Sequence, residues 1–350
     1  MSEAACGGGI KRIGDDALVA NPGPLVPWFD EQLGGPSLPL TLEKVAGGSS
    51  NSLLKVTRGG QSFALRRPPA VSNDRTSHNI ARELRLARAL RHTEVPHPRL
   101  VEGTTEPDWI GGPFLVLYWI DGFTPRDPMP GLFATDPDSR RALGDAVIDA
   151  LAKVAGVDWR GLGLDDFGEP DGFLDRQVDR WVAQFERTKV RDLADMDAIA
   201  AWLRSHRPAS SRPGLMHGDY SFANVMIAHD LPARVAAVID WELATIGDPL
   251  LDLGHLLSSW EDATSGPTWA HYIDWSEMRS RSEAAERYAS ASGRSVDDLP
   301  FYIVLALFRL AVLLEGSFAR HVRGQSDNPR HAAFKTRVPD ILRQAIRSLD

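Results

Sequence analysis

The chain has 350 residues, and 39 lysines and arginines against 47 aspartates and glutamates give it a formal net charge of −8. An acidic chain is poorly suited to the phosphate backbone, so a general nucleic-acid binder is disfavoured. Its 43% hydrophobic content excludes global disorder, and its length suggests two domains or lobes. Cys6 is the only cysteine, which excludes an intrachain disulfide and a thiolate metal cage.

Two further features of the sequence bear on the cellular location of the protein. The single cysteine fits a reducing environment, and the N-terminal MSEAACGGGIKR lacks the apolar segment of a signal peptide, so we expect a cytoplasmic protein. The most apolar stretch, residues 301–314, is interrupted by Arg309 and is shorter than the roughly 20 residues that a bilayer requires. We therefore expect a buried core helix there and no membrane association.

The first third of the chain is rich in strand patterns. Residues 53–57 and 62–66 flank Gly59 and Gly60, which predicts a β-hairpin with a Gly-Gly turn. Residues 79–90 have apolar positions at a helical period, and residues 114–120 form an apolar, aromatic-rich run typical of a buried strand.

After Gly122 the pattern becomes mainly helical. Helices are predicted at residues 142–154, 174–185 and 195–203, with a short β region at 225–227 and 235–239. Strands followed mostly by helices indicate an α+β chain. We expect a bilobal fold with a β-rich N-terminal lobe, residues 1–121, and a helical C-terminal lobe, residues 122–350.

Three polar residues in the second half suggest a metal and phosphate site. Asp219 and Asn224 are five residues apart in a predicted loop, and Asp240 follows the next β region. Two carboxylates and an amide oxygen around one point suit Mg²⁺, which takes few protein ligands and leaves room for phosphates. The spacing is the D-x-x-x-x-N of a kinase catalytic loop, in which the Asp accepts the substrate hydroxyl proton and the Asn holds a metal.

These residues lie in motifs that carry a family resemblance. HGDYSFAN, followed by VIDWELATIGDPLLDLG, resembles the aminoglycoside phosphotransferase-like small-molecule kinases, particularly those related to the kinase domains fused to some acyl-CoA dehydrogenases. The resemblance runs from about Leu42 to near the C-terminus. It implies a protein-kinase-like fold, with His217 in the usual HGD, and with Asp248 and Asp252 in a D-P-x-x-D pattern that braces the catalytic loop.

The resemblance also assigns nucleotide-binding residues to the first lobe. Arg66, at the position where most kinases have Lys, would bind phosphates, and Glu83 would be its helix partner. Backbone groups near Leu117 and Trp119 would bind the adenine edge. The loop that would cover the phosphates comprises Gly47, Gly48, Ser49, Ser50 and Asn51.

The resulting expectation is an ATP- and Mg²⁺-dependent phosphotransferase that acts on a hydroxyl group of a small molecule. Asp219 takes the hydroxyl proton, and Asn224 and Asp240 hold the metal. No A-P-E motif follows Asp240, which disfavours a protein substrate. The oligomeric state stays open.

Alternatives remain at the level of sequence. A nucleotide-binding pseudokinase or regulatory module would keep the fold without turnover, and a metal-dependent hydrolase would use His217, Asp219 and Asp240 without ATP. An apolar acceptor pocket would favour a hydroxyacyl compound, and an acidic one would favour a polyamine-like sugar. The helical lobe contains aromatic residues that could line that pocket or belong to the core: Trp181, Phe185, Trp260, Trp269, Tyr272 and Trp275.

Overall fold

The computed structural model describes residues 12–45, 51–69, 74–270, 272–326 and 328–349. The chain divides into two units. One comprises Met1–Thr93 and His97–Asp121, and the other comprises Glu94–Pro96 and Gly122–Asp350. The division near Asp121 follows the strand that the apolar run 114–120 predicts. Each unit has its own hydrophobic core.

The N-terminal unit is built on an antiparallel five-stranded sheet with the order β1-β2-β3-β5-β4. Its hairpin between β2 and β3 is confirmed, and Gly59 and Gly60 turn with φ values of 56° and 81°. Positive φ at two successive residues is what a tight hairpin turn needs and glycine tolerates. The strands are β1 (Leu40–Lys44), β2 (Ser52–Arg58), β3 (Gln61–Arg67), β4 (Leu100–Thr104) and β5 (Phe114–Tyr118).

Three helices complete this unit: α1 (Asp15–Ala20), α2 (Val26–Leu33) and α3 (Asp74–Leu90). The aromatic rings of Trp28 and Phe29 pack against Phe114 and Phe63 of the sheet. On the other sheet face, Leu84 of α3 packs in a small cluster with strand residues. The two clusters use alternate residues of β3 and β5, as expected for strands covered on both faces.

The C-terminal unit is mainly helical and contains two small antiparallel ribbons, β6-β9 and β7-β8. Its helices are α4 (Pro137–Ala155), α5 (Phe173–Thr188), α6 (Asp195–Ser205), α7 (Leu250–Ser259), α8 (Arg281–Ser292), α9 (Leu299–Val322) and α10 (Phe334–Arg347). Its strands are β6 (Gly214–Met216), β7 (Val225–Ile227), β8 (Val235–Val238) and β9 (Thr245–Gly247).

Helix α9 is the centre of this unit. It packs against α5, α6, α7 and α10, and most of its apolar residues are fully buried. By length and composition alone, it is the one helix in the described part of the chain that could cross a membrane. The sequence argument that this segment is too short was wrong, because the helix continues past the apolar run to Val322. Its role as a core helix is confirmed.

The α+β class and the predicted elements are confirmed, with shifted ends. α3 begins five residues before the predicted start at residue 79, and β5 ends at Tyr118 rather than at residue 120. The sequence did not predict β1, β4 or the β6-β9 ribbon. β1 and β4 each pair with the next strand along the chain, whereas β6 and β9 are three residues long and pair across residues 217–244.

Candidate active site

The loop that follows β6 carries the HGD motif, and α7 holds its backbone. The Asp252 carboxylate accepts hydrogen bonds from the N–H groups of His217, at 2.6 Å, and Gly218, at 2.9 Å. Gly218 has φ of 84°, and a Cβ atom there would lie 2.3 Å from the carbonyl oxygen of Leu243. Only glycine fits this turn, which directs the following residue, Asp219, out of the loop.

His217 links the two acidic motifs. Its Nε2 donates to the carbonyl oxygen of Ile239 at 2.9 Å, and its Nδ1 accepts from the N–H of Asp219 at 3.3 Å. These bonds require a neutral ring protonated on Nε2. His217 is fully buried, so its part is to join the loop of Asp219 to the residue before Asp240.

Both oxygens of the Asp219 carboxylate have a partner. Nδ2 of Asn224 donates to Oδ2 at 2.8 Å, and Nε2 of His255 lies 3.3 Å from Oδ1. Burial acts to raise the pKa of Asp219, but the hydrogen bond from His255 and the positive charge of Arg309 act against it and leave the pKa below its usual value. The side chain is nevertheless 48% exposed. The result is an oriented, ionised carboxylate that a ligand can reach.

Asn224 and Asp240 are brought together by the β7-β8 ribbon. Val225 pairs with Val238, and the N–H of Ile239 donates to the carbonyl oxygen of Asn224 at 2.8 Å. Asp240 has φ of 67° and is the only non-glycine residue with positive φ in the described part of the chain. Such strain is typical of positions where the backbone is constrained to aim a functional side chain.

This arrangement fits the oxygen chemistry of Mg²⁺. Because Nδ2 of Asn224 donates to both the carbonyl and the carboxylate of Asp219, its Oδ1 is held in a fixed direction as a possible ligand. Among the described residues no group of three His, Cys, Asp or Glu could hold a metal. Mg²⁺ often keeps only one or two protein ligands beside phosphates and water.

The structure places Arg66 and Glu83 together within the N-terminal unit. Nε of Arg66, on β3, lies 3.2 Å from Oε1 of Glu83, on α3, and both side chains are largely buried. The predicted strand-to-helix ion pair therefore exists. The neighbouring Arg67 points to the other sheet face, where it donates to the carbonyl oxygen of Ile13.

The other nucleotide-binding predictions have mixed outcomes. Gly47, Gly48, Ser49 and Ser50 lie outside the described residues, and Asn51 directly precedes β2. Leu117 is buried between β3 and β4, whereas Trp119 is 38% exposed. The N–H groups of Tyr118 and Trp119 donate to the carbonyl oxygens of Arg99 and Ser62. A nucleotide base could use these two N–H groups only in competition with the sheet.

Two residues around Asp219 were missed by the sequence analysis. His255 lies one helical turn after Asp252 on α7, on the same helix face. Arg309, on α9, donates to the carbonyl oxygen of Gly218 and lies over the ring of Trp181. The i, i+3 spacing from Asp252 could have indicated His255. Nothing local could have indicated Arg309, which is 90 residues from Asp219.

The aromatic candidates fall into two groups. Trp181 and Phe185 belong to the hydrophobic core. The other four belong to the segment between α7 and α8. Trp275 packs against Phe222 of the catalytic loop at 5.3 Å between ring centroids, and Trp269 stacks on His255 at 5.9 Å.

This segment also borders a cavity of about 680 Å³ whose lining includes Glu261, Asp262 and Asp274. A cluster of acids would suit a polycationic ligand, but all three carboxylates already accept hydrogen bonds within the protein. Their donors are the N–H groups of Thr264, Ser265, Thr268, Ser276 and Arg281 and the Arg140 guanidinium. These bonds hold the pKa of Asp262, despite its partial burial, down at about 2.

Comparisons with known proteins identify a family for this chain. A model of the phosphotransferase enzyme family matches residues 41–288. Acyl-CoA dehydrogenase family member 10 of Mus musculus is 29% identical over 296 residues, which are 83% of this chain and 27% of that protein. The chain therefore spans about a quarter of the length of this curated relative.

Solved structures extend the similarity to the fold. A Ralstonia eutropha protein that takes its name from the aminoglycoside phosphotransferases is 27% identical, with a TM-score of 0.82 over 94% of this chain and 98% of that one. An aminoglycoside phosphotransferase solved with ADP is 15% identical, with a TM-score of 0.56 over 93% of this chain and 99% of that one. At that identity the second match shows a shared fold.

Proposed function

Because the chain belongs to the phosphotransferase enzyme family, we propose that it transfers the γ-phosphoryl group of ATP to a hydroxyl group of a small anionic molecule. Membership confirms the resemblance drawn from the HGDYSFAN and IDWELATIGDP motifs. The enzyme class, a phosphotransferase with an alcohol group as acceptor, follows from the family. The nucleotide, the metal, the residue roles and the acceptor are the parts that we propose.

One observation carries the proposed chemistry: the Asp219 carboxylate is held through both oxygens and yet is half exposed. In this position it would orient the acceptor hydroxyl and take its proton as the phosphoryl group arrives. Its lowered pKa keeps it ionised at neutral pH, as a proton acceptor must be. Phosphoryl transfer depends mainly on positioning and charge stabilisation, so a covalent enzyme intermediate is not needed.

Asn224 and Asp240 are the residues that would hold Mg²⁺. The ion would neutralise charge on the phosphate oxygens when bound. The ribbon β7-β8 and the hydrogen bond from Asn224 to Asp219 make the positions of the metal ligands and of the carboxylate depend on one another.

Within the N-terminal unit, Arg66 would bind the ATP phosphates, with Glu83 fixing its guanidinium. A permanently charged, planar guanidinium can bind phosphate oxygens bidentately. The use of ATP is supported by the relative that was solved with ADP, although the similarity to that protein is one of fold.

The charges near Asp219 favour an anionic acceptor. His255 donates a hydrogen bond to the Asp219 carboxylate, Arg309 acts on it with a positive charge, and the charges of Arg126 and Arg337 act on the hydroxyl of nearby Tyr272. An aminoglycoside, which is a polycation, would meet these positive groups, while the acids that border the nearby cavity are engaged within the protein. A hydroxy acid or hydroxyacyl compound fits this field better.

The proposal predicts that Asp219→Asn abolishes activity without unfolding the protein. Asparagine keeps the shape and the hydrogen-bonding capacity of the side chain but cannot take a proton, so we expect turnover to fall by roughly 10²–10⁴-fold. The measurement is Mg²⁺-dependent ADP release from ATP with hydroxyacyl-CoAs, hydroxy acids, amino alcohols, sugars and aminoglycosides as acceptors. Asp230→Asn, in the exposed connection between β7 and β8, is the matched control and should keep full activity.

The same assay separates the rival functions. Tight binding of MgATP with no phosphoryl transfer to any acceptor would support a nucleotide-binding regulatory module instead. Hydrolysis of a substrate without ATP would support a hydrolase that uses His217, Asp219 and Asp240. Wild-type activity in Asp219→Asn would remove Asp219 from the catalytic role.

A further inference from the structure

Arg309 is a charged residue in an otherwise apolar part of the core helix α9. It is the only charged residue in the run 301–314, and the helix around it packs against α5 and α7. A charge in such a place is costly unless it is bound. Glu315, further along the same helix, is bound through both oxygens by Arg191. Arg309 has no comparable carboxylate partner among the described residues, so its place in the core needs another explanation.

The guanidinium of Arg309 binds the backbone of the catalytic loop. Its Nη2 donates to the carbonyl oxygen of Gly218, and the group lies 5.5 Å from the ring centroid of Trp181 on α5. Its Nε is inaccessible to solvent and has no hydrogen-bond partner in the described part of the chain. An unpaired buried N–H is costly. The side chain therefore leaves one of its own donors unsatisfied while it reaches the Gly218 carbonyl.

This carbonyl belongs to the peptide group that carries Asp219. On one side of the peptide plane, the carbonyl oxygen of Gly218 accepts from Arg309. On the other side, the N–H of Asp219 donates to Nδ1 of His217 at 3.3 Å. Because a peptide group is planar, holding both sides sets the direction in which the chain enters Asp219.

Gly218 is a residue that needs to be held from outside. Its φ of 84° is open to glycine, but a residue without Cβ can also adopt many other conformations. The Asp252 carboxylate, on α7, accepts from its N–H, and Arg309, on α9, donates to its carbonyl oxygen. Two side chains of opposite charge, from two helices, thus form a clamp on this one glycine.

We propose that Arg309 is a positioning residue for phosphoryl transfer, which holds the peptide plane between Gly218 and Asp219 so that the Asp219 carboxylate faces the acceptor hydroxyl. This assignment rests on the proposed function. It adds a backbone contact to the two side-chain contacts of Asp219, which come from Asn224 and His255. Loss of a positioning contact lowers the rate of the chemical step and leaves ATP binding as it was.

Arg309→Met tests the assignment, because it removes the guanidinium and keeps a long side chain that suits the apolar helix. With 3-hydroxybutyryl-CoA as the acceptor probe, we expect kcat to fall about 10- to 100-fold, with the KM for ATP unchanged. Arg309→Lys keeps a positive charge and an N–H donor, so it should lose less. An equal loss in the two variants would overturn the assignment. So would a rise in acceptor KM with kcat unchanged, which would make Arg309 a binding group.

Arg320→Met is the matched control. Arg320 lies on the same helix and is exposed, and its Nη2 donates to the hydroxyl of Ser317. Its replacement removes one arginine from α9 without touching the catalytic loop, so kcat should stay at the wild-type value. A fall in kcat equal to that of Arg309→Met would mean that the loss of any positive charge on α9 is sufficient, and the assignment would fail.

Hydrogen–deuterium exchange of the backbone amides keeps the test independent of turnover. In Arg309→Met the amides of residues 217–219 should exchange faster than in the wild type, whereas those of α10 should not change, which separates a loosened loop from a destabilised unit. If the wild type does not phosphorylate 3-hydroxybutyryl-CoA, the proposed function fails for that acceptor, and faster exchange still shows that Arg309 holds the loop. Unchanged exchange at residues 217–219 would overturn the assignment.

Discussion

At the scale of single residues, the orientation of Asp219 depends on His255. Asp252 and His255 are one turn apart on α7, and the first holds the backbone of the catalytic loop while the second holds its carboxylate. His255→Leu removes the second contact. A hydrogen bond that involves a charged group is worth about 1.5–3 kcal/mol, so we expect kcat to fall about 10- to 100-fold with the KM for ATP unchanged. His255→Gln, which keeps an N–H donor, should recover much of the loss.

The pH profile of kcat gives a second measure of this contact. The hydrogen bond from His255 lowers the pKa of Asp219, so the leucine variant should have the higher Asp219 pKa. Since we propose the ionised carboxylate as the proton acceptor, activity should decline as the pH falls through that pKa. The acidic limb should therefore lie at higher pH in His255→Leu than in the wild type. An unchanged limb and an unchanged kcat would show that Asn224 alone positions Asp219.

The residue scale also shows what the sequence could reveal. Asp219, Asn224 and Asp240 were predictable because their spacing within one short stretch is characteristic of the chemistry. His255 had a helical spacing that could have signalled it. Arg309 had no local signal at all.

At the scale of elements, α9 is a core helix that carries a fully buried carboxylate, Glu315. Arg191, in the connection between α5 and α6, binds both oxygens of Glu315, with Nη2 at 2.7 Å from Oε2, and donates to carbonyl oxygens at the start of α10. The apolar run predicts the helix but ends before this residue. The ion pair with Arg191, which is far from Glu315 in the sequence, allows this core helix to contain a charged side chain.

Arg191→Ala should therefore destabilise the protein strongly. It leaves Glu315 buried without its counter-charge, and breaking a buried pair in this way costs about 3–5 kcal/mol. Urea unfolding gives the measurement. Arg204→Ala is the matched control, because Arg204 pairs with Asp179 at the surface, where such pairs contribute about 0–1 kcal/mol. Equal losses in the two variants would mean that Arg191 contributes no more than a surface residue.

At the scale of the whole molecule, the sequence predicted the class of fold better than its topology. Two features of the sequence were sufficient to predict an α+β chain with two lobes. They are the hydrophobic content and the change from strand patterns to helix patterns after Gly122. The sheet order β1-β2-β3-β5-β4 was not predictable, because β5 pairs with β3 across α3 and β4, and strand pairing over such separations has no local signature. The ribbons β6-β9 and β7-β8, which flank the loops of Asp219 and Asp240, consist of strands of three or four residues.

Nucleotide binding and phosphoryl transfer should be separable in the whole protein by a thermal-shift measurement. A ligand present at 100 times its Kd stabilises the native state by about 2.7 kcal/mol, so MgATP should raise Tm by several degrees. Arg66→Ala should lose most of this rise, because it removes the guanidinium that pairs with Glu83 and that we propose for the phosphates. Asp219→Asn should keep the rise, because we propose that Asp219 acts on the acceptor.

Arg88→Ala is the control for loss of positive charge in the same unit. It removes an exposed arginine that is paired with Glu102, and it should also keep the rise in Tm. A full rise in Arg66→Ala would mean that the ion pair on β3 and α3 serves the fold alone.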